Sequence, residues 1–342
     1  MHRLIALLWL RWEYLISNKV LLFVCVVTPF IDFAILQAIP MIHGEMYFLN
    51  IGLSLIYSMT AGTFTSMMIS EEKEKKNLRT LLCVILIAIV IIFYLLGKVD
   101  ITKYTISNEK IPEKFNNFKI VQLSDFHSSG YKDTTEIIIS KIKGLKPDII
   151  VMTGDMISWE VENIGELEKL ITSLADVAPM YYVNGNHEEL AEILKAEEYG
   201  AFLSTIEQLG VTFIKNNYVE ISKDSQCINL YEIDIPLDPP TGLYVTREQL
   251  DNNYVNDTLP EVDSEKFNIL LAHNPLFIEE YSEWGADLVL SGHMHGGIVR
   301  IPIIGIGIVS PEDGYFPKYD AGKFKVNETT MIVNRGIGIS SS

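Results

Sequence analysis

The chain has 342 residues, enough for one large domain or two ordinary ones, so burying a core is no obstacle. Its 27 Lys+Arg face 44 Asp+Glu, and 8 and 6 of these fall in residues 1–99, which leaves +2 there and −19 in residues 100–342. An acidic body of that kind excludes non-specific nucleic-acid binding, which neutralises phosphates with Lys and Arg. The three cysteines, Cys25, Cys83 and Cys227, exclude a disulfide framework or a thiolate metal site.

The first hundred residues read as membrane-associated. Leu4 to Ile16 sets Arg11 and Glu13 among tryptophans and leucines, as in a helix lying at a membrane surface. Val20 to Ile39 is long enough to span, although Asp32 within it costs about 2.5 to 3.5 kcal/mol on insertion scales. Met46 to Ser70 carries no charge over 25 positions and reads as a second span, with Gly52, Ser54, Ser58, Gly62 and Ser66 as small helix-packing residues. After the charged stretch Glu71 to Arg79, the uncharged run Thr80 to Gly97 reads as a third. No short apolar run with a small-residue cleavage site marks a signal peptide. Arg3, Arg11 and Lys19, together with Lys73, Lys75, Lys76 and Arg79, favour the cytoplasmic side for both their segments. Three spans then place residues 98–342 outside the cell membrane, while Lys98, Lys103, Lys110, Lys114 and Lys119 argue in the opposite direction.

The run from Thr65-Ser66-Met67-Met68 through Glu71-Glu72-Lys73-Glu74-Lys75-Lys76-Asn77-Leu78-Arg79 to Leu82 resembles the start of an ABC-2 type transporter permease. Such a permease would continue through further spans and assemble with an ATPase subunit, whereas here unrelated sequence follows. The chain therefore reads as a join near Leu82: a permease-like fragment over 1–82 (an interfacial helix and two spans), an anchor over 83–97, a linker over 98–117 and a folded body over 118–342.

From Phe118 onward, apolar strands alternate with helical spacing, the pattern of an α/β layered fold. Strands are expected at Phe118 to Ser124, Asp148 to Thr153, Met180 to Val183 and Phe267 to Ala272, and in a run through Leu290; shorter β segments at Val211 to Ile214, Tyr218 to Ile221 and Cys227 to Leu230. Helices are expected at Thr134 to Leu145, Glu166 to Leu174 and Glu189 to Leu209. Tyr231 to Leu259, rich in Asp, Asn and Pro, shows little periodicity and reads as irregular.

Five strands each end in a loop carrying Asp, Asn or His, and the carboxyl edge of a sheet is where such folds place ligand sites. The loops are Asp125-Phe126-His127, Gly154-Asp155, Gly185-Asn186-His187-Glu188, His273-Asn274 and Ser291-Gly292-His293-Met294-His295. Singly each has an ordinary reading: Asp125 as a helix cap, Asp155 or Asn186 as a turn former, His187 or His273 as a core or surface histidine. Five at equivalent places are poorly explained as separate accidents.

In that order the blocks resemble the motifs of the calcineurin-like metallophosphoesterases, over a stretch from about Thr102 to the end, and are nearest to the membrane-anchored bacterial type. The resemblance implies a sandwich of two β-sheets flanked by helices, and a binuclear site. Asp125, His127 and His295 would hold one divalent ion, Asn186, His273 and His293 the other, and Asp155 would bridge them. The ions would be Mn, Fe or Zn, for which this donor mixture is better suited than for Ca²⁺. The implied reaction is hydrolysis of a phosphoester or phosphoanhydride by a metal-activated hydroxide, with His187 touching the phosphoryl oxygen or protonating the leaving group. Lipid-linked pyrophosphates, nucleotide-lipid precursors, phosphodiesters and phosphoproteins all remain open as phosphorylated substrates, and no obligatory protein partner is implied. One departure is that relatives usually run on past Met331 to Gly338 through a closing strand, so an edge of the sheet is expected to be missing. Rival readings are a transport component and a non-functional fusion.

Overall fold

The computed structural model describes residues 99–127, 132–238, 241–297, 299–301, 306–310 and 312–337. The interfacial helix and the three expected spans fall in residues 1–98, outside the described residues. Among the described residues no helix is long and apolar enough to cross a membrane.

Four strands, β1 (Ile120–Leu123), β2 (Ile149–Thr153), β3 (Met180–Val183) and β4 (Val211–Phe213), make an all-parallel sheet in sequence order. Parallel strands need crossovers, and these are α1 (Lys132–Leu145), α2 (Gly165–Leu174), and the pair α3 (Asn186–Leu194) and α4 (Ala196–Gln208). Strand β2 is buried along its whole length, as expected of a strand covered on both faces. Its side chains alternate: Ile150 and Met152 pack on the helices, while Ile149 and Val151 face the other sheet. In α2, Leu167, Leu170, Ile171 and Leu174 recur at helical spacing and form its buried stripe.

The second sheet uses β5 (Tyr218–Lys223), β6 (Gln226–Glu232), β9 (Asn268–Leu271), β10 (Leu288–Ser291), β14 (Gly322–Val326) and β15 (Thr329–Val333), in the order β14-β15-β10-β9-β6-β5. The inner strands β6, β9, β10 and β15 are parallel and the two edges are antiparallel. Ile269, Leu271, Leu288 and Leu290 meet Ile149, Val151 and Val183 of the first sheet in an inter-sheet core. Leu270, Ala272 and Val289 turn to the outer side, against Tyr281 and Trp284 of α6 (Ile278–Trp284). The architecture is thus helix, sheet, sheet, helix, the layered α/β sandwich that the resemblance implies.

Two expectations change. The single helix over Glu189 to Leu209 is two helices, because Lys195 leaves helical dihedrals (φ −140°, ψ 46°) and α3 begins earlier, inside the Asn186 motif. The segment Tyr231 to Leu259 is not uniformly irregular: it holds the end of β6, the hairpin β7 (Leu237–Asp238) and β8 (Leu243–Tyr244), and α5 (Tyr254–Thr258). Ile233, Ile235 and Leu237, alternating as in a strand, and Tyr244, Leu250, Val255 and Leu259, at wider irregular intervals, anchor it in the outer core. Residues 99–117, read as a linker, lie against the sandwich. There Ile106, Ile111 and Phe115 join the inter-sheet core and Lys110 pairs with Asp287 at 3.0 Å. A small antiparallel sheet, β11 (Val299–Ile301), β12 (Ile306–Ser310) and β13 (Gly314–Tyr315), follows the histidine loop.

Candidate metal centre

The loops leaving β1, β2, β3, β9 and β10 all emerge at the carboxyl ends of parallel strands, so their side chains converge. Just below them the two sheets are tied together. Gln122 donates to Ser291 O and Thr153 Oγ1, both at 2.9 Å, and Asn334 Nδ2 donates to Gln122 O at 3.2 Å.

Six of the seven expected metal donors fall into two clusters: Asp125, His127, Asp155 and His295 form one, and Asp155, His273 and His293 the other. Within each, the ligand atoms lie within 4.8 Å of one another. Asp155 belongs to both. The seventh, Asn186, is buried in the first turn of α3, beside His187, whose N–H donates to Asp155 Oδ1 at 3.0 Å.

The backbone here is strained. Asp125, His127, Asp155, His293 and His295 all have φ between 50° and 71°, a region that costs a non-glycine residue about 1–3 kcal/mol. Crossed hydrogen bonds hold it in place: Asp125 N–H to Gly154 O, His127 N–H to Asp155 O and His293 N–H to Asp125 Oδ1, each 3.0 Å. Two glycines let the loops close up. A Cβ on Gly292 would run into Ser124 Oγ and Asp125 Oδ2, and one on Gly154 (φ 82°) would lie 2.5 Å from His273 Nδ1.

The electrostatics differ across the site. His127 is lowered to about 4, by burial first and by the neighbouring His187 and His295 rings, against the pull of Asp155 and Asp125. Burial also pulls His273 down, but Asp155 at 3.2 Å and Asp125 at 3.9 Å together outweigh it and raise it to about 10. Burial works to raise Asp155, and the surrounding histidines, His273 foremost, hold it well below the usual carboxylate range.

These residues fit cations. Asn186 Oδ1 is buried and accepts no hydrogen bond, a state costing about 1–3 kcal/mol unless another partner takes it. His127 Nε2 and His295 Nε2 face each other at 3.2 Å, where one cation would satisfy both lone pairs. His273 Nδ1 is 2.6 Å from Thr153 O, so in the neutral ring that nitrogen carries the proton and Nε2 is free to ligate.

His187 lies at the edge of the first cluster, its ring edge-on to His127 at 4.6 Å. Its Nδ1 accepts from Trp159 N–H at 3.3 Å, which in the neutral ring leaves the proton on Nε2.

Two carboxylates escaped functional reading from sequence. Glu188 is fully buried and accepts from the N–H groups of Asp155, Met156, Ile157 and Gly185 and from the Tyr182 hydroxyl, at 2.7 to 3.0 Å, so it clamps the β2 and β3 loops together. Its place in the Gly-Asn-His-Glu motif was the available signal. Glu312, in the turn between β12 and β13, reaches back to within 3.1 Å of His293 Nε2. An acid between Pro311 and Asp313-Gly314 reads from sequence as an ordinary solvated turn.

The family model for the calcineurin-like phosphoesterases matches residues 118–297, which contain all five loops. Over 250 residues the chain is 30% identical to the "Uncharacterized metallophosphoesterase YkuE" of Bacillus subtilis (strain 168), covering 71% of this chain and 79% of that one. It is 27% identical over 226 residues to "Phosphodiesterase YaeI" of Escherichia coli (strain K12), covering 65% and 75%. It is 25% identical over 276 residues to a "Transmembrane protein with metallophosphoesterase domain" of Danio rerio, covering 76% and 58%. The chain therefore belongs to the calcineurin-like phosphoesterase family, as a metal-dependent phosphoesterase with clustered Asp and His side chains that could hold metal ions.

Proposed function

We propose that this protein is a membrane-anchored phosphohydrolase using two ions, with its catalytic body on the extracytoplasmic side and a substrate at or near the membrane. The observation that carries the reading is the sharing of Asp155 by two donor clusters. In this reading Asp125, His127 and His295 hold one ion, Asn186, His273 and His293 the other, and Asp155 binds both. When bound, two such ions supply Lewis-acid polarisation of the phosphoryl group and activation of water at neutral pH.

The protein's own groups do the rest. Thr153 O fixes the His273 tautomer and Glu188 fixes the backbone that presents Asp155 and Asn186. His187, its ring held by Trp159 N–H and its own backbone N–H by Asp155, presents its Nε2–H as a hydrogen-bond donor to the phosphoryl or leaving oxygen. The body around the site carries −19, so an anionic substrate is drawn in by the bound cations and not by the surface. The uncharged run Thr80 to Gly97, some 20 residues before the first strand, is what supports tethering at a bilayer.

The test is hydrolysis of bis-p-nitrophenyl phosphate by the full-length chain loaded with Mn²⁺. Asp155→Ala is expected to lower the rate at least about 10³-fold, and activity untouched by that change overturns the reading. His187→Ala should lower kcat by about 10² to 10⁴-fold with both ions still bound; a loss of metal instead would make it a ligand.

A further inference from the structure

We propose that Glu312 is a positioning residue for His293: its carboxylate accepts the Nε2 proton of that ring and so leaves Nδ1 for the ion of the second cluster. The inference rests on the two-ion reading above and adds to it a residue outside all five motifs.

Four observations carry it. The Glu312 side chain is 9% exposed, and its Oε2 lies 3.1 Å from His293 Nε2, a buried ring nitrogen with no hydrogen-bond partner elsewhere. It is fully engaged, as a buried carboxylate must be: Oε1 accepts from Tyr244 N–H at 2.9 Å and Oε2 from Asn274 Nδ2 at 3.0 Å. Asn274 directly follows His273, so one carboxylate touches one histidine of the second cluster and the neighbour of the other. Glu312 is not itself among the donors of either cluster, which places it behind the ring and not in front of it.

The elements around it fix that position. The Tyr244 ring meets His293 edge-on at 5.1 Å, so the imidazole is held between an aromatic wall and the carboxylate. The β11–β13 sheet that carries Glu312 is seated on the histidine loop: Ser310 Oγ bonds Met294 Sδ at 3.9 Å, and Asp313 N–H bonds Ser310 Oγ at 3.1 Å. A Cβ added to Gly297 would lie 2.6 Å from Gly307 Cα. A carboxylate behind a ligating imidazole fixes its tautomer and orientation and raises its basicity. Thr153 O plays the same part for His273 with a neutral oxygen.

The experiment titrates Mn²⁺ alone into the chelator-stripped full-length chain and reads the binding constants by calorimetry, for wild type, Glu312→Gln and His293→Ala. Glu312→Gln should keep one constant and weaken the other by about 10- to 100-fold, and excess Mn²⁺ should restore hydrolysis. His293→Ala should lose that ion altogether. Glu312→Asp keeps the charge but shortens the reach; should Glu312→Gln unfold, the same single weakening is expected in it. Two unchanged constants in both Glu312 variants overturn the inference and leave the functional reading standing. A loss in Glu312→Gln as deep as in His293→Ala also overturns it, because Glu312 would then be a ligand. A wild-type chain that takes a single ion overturns both.

Discussion

The two donor clusters that meet at Asp155 are held in different ways. In the first, Asp125, His127, Asp155 and His295 all sit in the left-handed region, and the two histidine nitrogens press together at 3.2 Å. His127 Nδ1 is buried without a hydrogen bond. Main-chain strain and close packing set this cluster. In the second, His293 (φ 71°) shares that conformation but His273 does not, and each histidine has an oxygen beside one ring nitrogen, Thr153 O by His273 Nδ1 and Glu312 Oε2 by His293 Nε2. A main-chain carbonyl and a carboxylate from other elements help to set that one. The contrast teaches that one side of such a site can be held by strained loops and the hydrogen bonds that cross between them, while its other side leans as well on Glu312, beyond the histidine loop.

The sharpest way to break that comparison is to remove one histidine from each side. His295→Ala and His293→Ala should each lower metal content from about two ions to about one per chain, read by elemental analysis. Because His295 faces His127 and His293 faces Glu312, the ion lost should differ; if both variants keep two ions, the division into clusters is wrong.

A smaller effect is expected from the clamp that serves both sides. Glu188→Gln turns an amide NH₂ toward backbone N–H groups that need an acceptor, and should cost about 3 kcal/mol of stability. Chemical denaturation would measure it. An unchanged midpoint would mean that the β2 and β3 loops hold themselves.

The smallest effect lies away from the site, below the β6 end, where burial and the adjacent Asp234 push the Glu232 carboxyl well above its ordinary 4.5. A carboxyl raised in the folded state adds stability that is complete below its unfolded pKa and is lost as pH rises through the folded value. Glu232→Gln has no such loss. Its melting temperature should therefore gain on wild type between pH 5 and pH 8, by about 2–4 °C per kcal/mol in a domain of this size. A constant difference across that range would show that Glu232 does not titrate there.

Much of this was legible in the sequence, and the reason is local. A strand that must be buried on both faces has to be a continuous apolar run, and the loop after it must turn sharply, so Ile149 to Asp155 or Leu288 to His295 announces itself within eight residues. The helix pair at Lys195 and most of the anchored segment after β6 were not legible, because a single non-helical residue leaves no mark on the pattern and the anchors beyond the short alternation Ile233, Ile235, Leu237 are irregularly spaced.

The sequence by itself determined the layered α/β class, the strand-end loops and the candidate donor side chains, because each depends on neighbours a few residues away. The family resemblance implied which donors belong together, but only the tertiary structure put them within 4.8 Å of one another and showed what stands behind them. Asp125 meets His295 at 3.4 Å across 170 positions, and Glu312 meets His293 from the far side of a separate small sheet. Spacing along a chain does not encode such meetings. They arise from strand order and from a buried charge that had to find donors wherever the folded chain supplied them.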